Sequence, residues 1–523
     1  MKRPCHRLLA SDQSAQLEAS PTLITIPTDI LYIIFQMLYD APIPPEDRER
    51  FDYESCRGSR LIPLSETCRI MRAESLPWIF REVYNWRRED GDVWPNTLWG
   101  LFVTLHIRDR AIRHPGHIPL SVDAYRALPM MEALTRVTVR FDAPVPPELL
   151  ASLSLVPHLA LLEIHHARFD GAPPPLSLPF ATLETLVIST LGFGGMVRKR
   201  NIDHSNERRN VHGLLAHVCD TLSTLQISGD LLPTDFIAFR WRRLRKFTVT
   251  EHTPTPYIST PELVSQMPAL RELYVLFSAD LGRDEDELYP PFRLGNLGGQ
   301  PLSPLLTSIT LSNLEPADPI FKQLPHTLET LHLVAMQDPY APGPGSPQDP
   351  REAAFTLTTV LTVIDNISHL DLSELSLTLN VFATAGLIHR IATVFPRLRF
   401  LQLQHSIYCH GDEFCLDVRD NAIADALRRL RLLTDLRISL DFEDRLIQEG
   451  PQASAARWLI QQLPGLRTVA FSWCQSWYFY GFESVVWRTW DRSVLLRPVP
   501  VPPPPRSLSE QSWDEEEGIA IPY

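Results

Sequence analysis

Cysteine is too scarce and too irregularly placed to cross-link this chain. Its seven cysteines, at 5, 56, 68, 219, 409, 415 and 474, include no Cys-x-x-Cys pair, which excludes a disulfide framework and predicts a reducing compartment. No apolar run reaches the roughly 18 residues that a membrane-spanning helix needs, and the basic start, Met1 to Ala10, runs into Ser11-Asp12-Gln13 without the apolar stretch of a signal peptide. The expectation is therefore a soluble protein of the cytoplasm, the nucleus or both, with no membrane partner. Basic residues are outnumbered, 49 to 62, giving a formal charge of −13. No positive field gathers phosphates, so nucleic acid is not expected as a partner.

Catalytic signatures are missing as well. Gly-x-Ser-x-Gly and His-Glu-x-x-His do not occur, and the glycine cluster at Gly192, Gly194 and Gly195 has Val197 where a dinucleotide loop needs its third glycine. Cys409, His410 and Cys415 match no common zinc spacing, and Asp284 to Glu287 lacks the glycine and distant glutamate of a calcium loop. His165-His166 has no catalytic partner near it in sequence. Neither an enzyme nor a cofactor or metal is expected. Glycine is also low, at 22, whereas proline is abundant, at 47. Without collagen periodicity, that balance means many stiff loops that start and stop short elements.

What the sequence does have is a repeat. The pattern apolar-x-x-apolar-x-apolar occurs at Phe102-Leu105-Ile107, Leu134-Val137-Val139, Leu159-Leu162-Ile164 and Leu183-Leu186-Ile188. It continues at Leu222-Leu225-Ile227, Leu244-Phe247-Val249, Leu270-Leu273-Val275, Leu306-Ile309-Leu311 and Leu328-Leu331-Leu333. The last copies are Ile367-Leu370-Leu372, Leu398-Leu401-Leu403, Leu433-Leu436-Ile438 and Leu466-Val469-Phe471. These 13 copies start 22 to 39 residues apart, and the shorter intervals lie in the leucine-rich-repeat range. Alternation on a short strand turns the apolar residues inward. One such strand cannot bury its apolar side alone, so the copies are expected to stack as a parallel sheet with helical returns, such as 261–267, 388–395 and 422–430, on the other side.

The resemblance to leucine-rich repeats is degenerate. Where that family often places an asparagine, eight positions after the first leucine, this chain has Asp142, Ala167, Leu191, Asp230 and His252, so an irregular arc is expected, similar to the divergent arrays of fungal F-box proteins. Segments 192–210, 281–304 and 337–352 read as surface loops, and 493–523, which holds the proline run 502–505 and an acidic end, cannot build a core.

The amino-terminal part has a different pattern. Ile24 to Leu38 is apolar nearly all round when read as a helix, with Ile30, Leu31, Ile34, Phe35 and Leu38 on one broad face; Pro27 suits the first turn and Asp29 the positive end of the dipole. A second helix is expected from about Leu64, stopped or kinked by Pro77. The strings Ile26-Pro27-x-Asp29-Ile30-Leu31-x-x-Ile34-Phe35, Leu64-x-x-Thr67-Cys68-Arg69 and Leu76-Pro77-x-x-Phe80-Arg81 together resemble the F-box, a three-helix motif that docks on the Skp adaptor of cullin-RING ubiquitin ligases.

That resemblance covers roughly 60 residues and implies Skp-adaptor contacts from Ile26, Pro27, Ile30, Leu31, Ile34, Phe35, Leu64, Cys68, Leu76, Trp78 and Phe80. The chain departs from the family pattern in a proline-bearing insertion at 41–62. The expected fold class is α/β. It comprises a leader at 1–20, a small all-helical F-box-like domain at 21–90, an irregular leucine-rich-repeat solenoid with a parallel concave sheet at 98–492, and a tail at 493–523.

The expected function is that of a substrate receptor, with the helices on the Skp adaptor and the repeats on a protein substrate. An interaction scaffold whose first helices merely cap the repeats, and a small-molecule receptor with a pocket in the arc, are the alternatives. Residues between the second and third apolar positions point away from the core, and Tyr274, His332, Asp371, Gln402 and Arg437 among them are the candidates for holding a substrate. Trp473 and Trp477 beyond the last copy join them, because aromatics and arginine dominate interfaces; the competing reading is that this cluster closes the end of the array.

Overall fold

The computed structural model describes residues 27–40, 61–84, 95–109, 125–141, 144–165, 168–171, 180–190, 204–251, 258–277, 294–295, 302–335, 355–380, 383–405, 421–439, 449–477 and 482–495. Ile26, the 1–20 segment, the 41–60 part of the insertion, Cys409, His410 and Cys415 lie outside them. The chain divides into two compact units, residues 1–192 with 203–222, and residues 193–202 with 223–523.

The first unit opens with three helical segments, α1 (Thr28–Asp40), Ile62–Ser65 and Arg69–Ile79. The short middle segment ends in a turn, and Cys68 then caps the third, its Sγ accepting from the amide of Met71 at 3.4 Å. Of the two expected effects of Pro77, a stop or a kink, the stop does not occur at the proline: Pro77 lies inside the helix, which ends two residues later at Ile79. Strand β1 (Glu82–Tyr84) follows directly. It pairs parallel with β2 (Thr104–Asp109), and the ladder continues through β3 (Arg136–Phe141), β4 (Leu161–His165) and β5 (Thr185–Ser189).

The second unit repeats that arrangement. Its strands are β6 (Thr224–Ser228), β7 (Lys246–Glu251), β8 (Glu272–Phe277), β9 (Ser308–Ser312), β10 (Thr330–Val334), β11 (Glu374–Leu379), β12 (Phe400–His405), β13 (Asp435–Ile438), β14 (Thr468–Trp477) and β15 (Phe482–Asp491). From β6 to β14 each strand pairs parallel with its successor, while β15 folds back antiparallel on β14 over ten residue pairs. Sequential parallel strands joined by helical returns are the order of a leucine-rich-repeat solenoid.

The core follows from the repeat. The second and third apolar positions, such as Leu225 and Ile227 or Leu331 and Leu333, are at most 1 % exposed, and the first positions are buried with them. Returns present their apolar stripes to the same layer: Leu387, Ile388 and Ile391 from Ala385–Val394, and Val360, Val363 and Ile364 from Leu357–Asn366. The latter two helices start on threonine caps, Thr384 and Thr356, whose hydroxyls accept from the amides three residues on.

Two readings need correction. The copy placed at Ile367-Leu370-Leu372 is five residues early: His332 on β10 pairs with Ser376 on β11, so the repeat is Leu372-x-x-Leu375-x-Leu377. Asp371 therefore sits before the strand, on the exposed surface, paired with Arg397. With the register corrected, Asn380 falls eight positions after the first leucine; its backbone N–H donates to the carbonyl of Phe355 at 2.9 Å, and its side-chain Oδ1 is buried without a hydrogen-bond partner. The loop expected over 192–210 also ends early, because a helix occupies Ser205–Val218 and buries Glu207 and Asn210. Their side chains bind the backbone of Phe169 and Gly171.

A close backbone approach holds one loop of the second unit. Asp318, buried, accepts from the amides of Leu294, Gly295 and Ile320 at 2.6 to 2.8 Å. A Cβ on Gly295 would stand 2.2 Å from the Ile320 nitrogen, so only glycine fits there.

Candidate partner-binding surfaces

Helix α1 divides its apolar residues between two environments. Leu31, Phe35 and Tyr39, spaced i, i+4, i+8, are 5 %, 0 % and 7 % exposed and join Leu61, Met71 and Trp78 in one cluster, with Leu38, Leu64, Cys68 and Ile79 packed against it. Trp78 is its aromatic centre. Tyr32 meets it edge-on at 5.7 Å, Phe35 and Tyr39 lie at 6.5 and 6.1 Å, and the Arg81 guanidinium sits 5.3 Å over its ring. On the other side, Ile30, Ile33 and Met37, spaced i, i+3, i+7, are 43 %, 55 % and 68 % exposed. They form an apolar stripe facing water.

This geometry corrects the expected contact set. Leu31, Phe35 and Trp78 are enclosed by the chain's own residues, so these three are not available to a second polypeptide; Leu64 and Cys68 pack against the same cluster and stay half-buried. Phe80 is taken by the solenoid. It lies beside Phe102 at 6.2 Å, the two rings holding the same place ahead of the paired strands β1 and β2. Leu76 and Ile34 are half-buried, and Pro27 and Ile30 are exposed. Ile33 and Met37 were legible as apolar neighbours of the stripe but were not picked as contacts.

A hydrogen-bonded cluster absent from the sequence reading ties α1 to the first strands. The Glu82 carboxylate on β1 accepts from Tyr84 at 2.6 Å and from Tyr39 of α1 at 2.9 Å, and His106 Nε2 on β2 lies 3.0 Å from it. Tyr84 and His106 stack at 4.2 Å, nearly parallel. Burial alone pushes the Glu82 carboxyl up, but the hydrogen bonds from His106, Tyr84 and Tyr39, with the charge of His106, outweigh it and bring the pKa down to about 2. Farther along, His165 and Thr138 bond Glu163 and lower its pKa against the effect of burial.

In the second unit, the residues between the inward positions form one register row on the face opposite the core: Tyr274, Thr310, His332, Ser376, Gln402 and Arg437. Four of the predicted residues, Tyr274, His332, Gln402 and Arg437, are thus brought together; Asp371 is not, and Ser376 takes its place. Phe400, two residues before Gln402 on β12, organises the row. Its ring lies 6.4 Å from that of His332, and the Arg437 guanidinium sits 5.4 Å from its centre. Burial lowers the pKa of His332, and the Arg437 charge lowers it further, so the imidazole is neutral at pH 7. Tyr274 carries Lys246 over its ring at 4.8 Å, with Lys246 and Glu272 paired at 3.4 Å.

Two polar atoms of this row are buried without a hydrogen-bond partner, Nε2 of His332 and Oγ1 of Thr310. The residues stand opposite each other on adjacent strands. Trp473 and Trp477 lie on β14, opposite Val486 and Phe482 of β15. The antiparallel pairing places them where the array ends.

Among the described residues no group of three or more His, Cys, Asp or Glu side chains is arranged to hold a metal, and no helix is long and apolar enough to cross a membrane. Cys68 and Cys219 are free thiols.

No protein-family model matches this chain, and no curated protein matches it. Solved structures do. The leucine-rich repeat-containing protein LegL7 from Legionella pneumophila is 11 % identical over 75 % of this chain and 90 % of its own, with a TM-score of 0.29. The plant peptide hormone receptor RGFR1, in complex with RGF2, is 11 % identical over 65 % of this chain and 53 % of its own, with a TM-score of 0.24. The chain folds as a leucine-rich-repeat solenoid. That assignment rests on the strand ladders and their inward leucines rather than on these likenesses.

Proposed function

We propose that this protein is the substrate receptor of a Skp-cullin-F-box ubiquitin ligase, acting in the cytoplasm or nucleus. Its first helices, within a domain spanning 21–90, dock on the Skp adaptor, and the repeats between 98 and 492 hold a protein substrate. The observation that supports this most is the exposed stripe Ile30, Ile33 and Met37 on a helix whose opposite face is already used up in its own core. A helix that only capped the repeats would have one apolar side. This helix has two, and the second is satisfied by a partner.

The sequence strings that resemble the F-box lie on the same helices. Burying each large apolar side chain of the stripe contributes roughly 1.5 to 3 kcal/mol before ordering costs. Ligase chemistry belongs to the partners. The receptor raises the effective concentration of a substrate lysine near the conjugating enzyme, and the Tyr39–Glu82–His106 cluster supports this by joining the docking helix to the first strands of the array.

Capture of the full chain by immobilised Skp adaptor tests the proposal. Ile33→Asp and Met37→Asp are expected to abolish capture while leaving the far-ultraviolet circular dichroism and the melting temperature unchanged. Phe35→Ala is expected to cost about 3 to 5 kcal/mol of stability instead, as a core deletion. Capture that persists undiminished in the Ile33→Asp, Met37→Asp double variant overturns the ligase role and leaves an interaction scaffold.

A further inference from the structure

In the row Thr310, His332, Gln402 and Arg437, the Gln402 amide donates to Gln404 at 3.4 Å, while Oγ1 of Thr310 and Nε2 of His332 have no hydrogen-bond partner. Arg437 is exposed and has no carboxylate within 4 Å among the described residues; its guanidinium sits 5.4 Å from the centre of the Phe400 ring. Asp435, two residues earlier on the same strand, keeps its charge but forms no ion pair with Arg437; its carboxylate accepts from the hydroxyls of Thr434 and Thr468. Arg399 and Arg467, one residue ahead of β12 and β14, are likewise exposed and without an ion pair. Their backbones are joined through Thr434, whose amide donates to the Arg399 carbonyl and whose carbonyl accepts from Arg467.

Three guanidinium groups, one on β13 and one just ahead of each neighbouring strand, outnumber the single carboxylate of Asp435 and leave a local positive excess in a chain of net charge −13. A few strands away, Nε2 of His332 and Oγ1 of Thr310 are buried with nothing to bond. Leaving such atoms unpaired is costly unless a ligand completes them.

We propose that the outward face of β9 to β13 docks an extended acidic segment of a partner protein. One of its carboxylates bonds Arg437, held flat by Phe400, and a backbone or side-chain polar group farther along satisfies His332 Nε2 and Thr310 Oγ1. The spacing agrees. His332 and Arg437 are three strands apart, about 14 Å at about 4.8 Å per strand, which an extended peptide crosses in about four residues at about 3.3 Å each. Arg437 and the flanking arginines supply charge-assisted, bidentate contacts, and the His332–Thr310 end fixes the register along the row. The proposal rests on the reading above only in that the repeats carry the target; adaptor docking is not needed for it.

Fluorescence anisotropy of the full chain with a fluorescein-labelled peptide of seven glutamates between Gly-Ser flanks tests it, with a heptalysine peptide and labelled oligothymidylate as comparisons. The expected result is saturable binding of the glutamate peptide that weakens about tenfold in Arg437→Ala, partly recovers in Arg437→Lys, and weakens again in the Arg399→Ala, Arg467→Ala double variant. Thr310→Val is expected to weaken it several-fold with an unchanged melting temperature. Affinity within twofold of the parent in both arginine variants overturns the proposal, as does oligothymidylate binding more tightly than the glutamate peptide. Ile33→Asp separates the two readings. Loss of adaptor capture with peptide affinity unchanged is expected; a chain that never captures adaptor but binds peptide through Arg437 defeats the ligase proposal alone.

Discussion

Leu31 and Ile33 are both aliphatic and two positions apart, yet one is 5 % exposed and the other 55 %. The periodicity of the helix put Leu31 on the broad face and Ile33 beside it, but could not say which side the chain itself covers, because that is chosen by residues about forty positions away, Met71 and Trp78. Glu82 was invisible for a related reason: a glutamate opening a three-residue strand has no signature until Tyr39, Tyr84 and His106 converge on it. Its effect has a direction in pH. The folded carboxyl titrates at about 2, below its ordinary 4.5, so its contribution is full above about pH 5 and disappears as the pH falls from about 4.5 through 2. Glu82→Gln is expected to lose roughly 2 to 3 kcal/mol at pH 7 by urea unfolding. The gap from the parent protein should narrow steadily below pH 4.5; an equal gap at pH 7 and pH 3 would refute the charge-based account.

At the scale of the element, the repeat pattern identified twelve of the thirteen strands it marked, because a leucine at every second position has one inward solution on a half-buried strand. The exception is instructive. Ile367, Leu370 and Leu372 are all buried, so they satisfy the pattern, but they end a helix and its turn; the paired strand begins only at Glu374. A register five residues late exchanges the roles of two residues. Leu375→Asp is expected to unfold the second unit locally or entirely, whereas Asp371→Ala should stay within about 0.5 kcal/mol of the parent, since its ion pair with Arg397 is exposed. Thermal melts of the two variants distinguish this register from the earlier one. Strands β1 and β15 were missed altogether: β1 has only Val83 buried, and β15 alternates weakly and pairs by a hairpin, which a search for repeats does not seek.

At the scale of the molecule, the α/β solenoid class and the succession of parallel strands were legible, since stacking is the sole way for thirteen short apolar strands to share one core. The boundary between two compact units near residue 193 was not. No shift in composition marks it, and the helix Ser205–Val218 belongs to the first unit although the segment before it belongs to the second. Solenoids distribute stability between neighbours rather than over the whole. Phe471→Ala, which opens a cavity beneath the ring of Trp490, is therefore expected to speed hydrogen exchange in β13, β14 and β15 while β7 and β8 keep their protection. Uniform acceleration across the second unit would show a globally cooperative fold instead.

The two-sided helix also has a consequence for the life of the chain before it meets any companion. Ile30, Ile33 and Met37 present to water a strip that other newly made proteins can stick to, so a lone copy is a client for chaperones and a target for disposal. If the proposed docking holds, supplying the companion in excess lengthens the half-life of the chain.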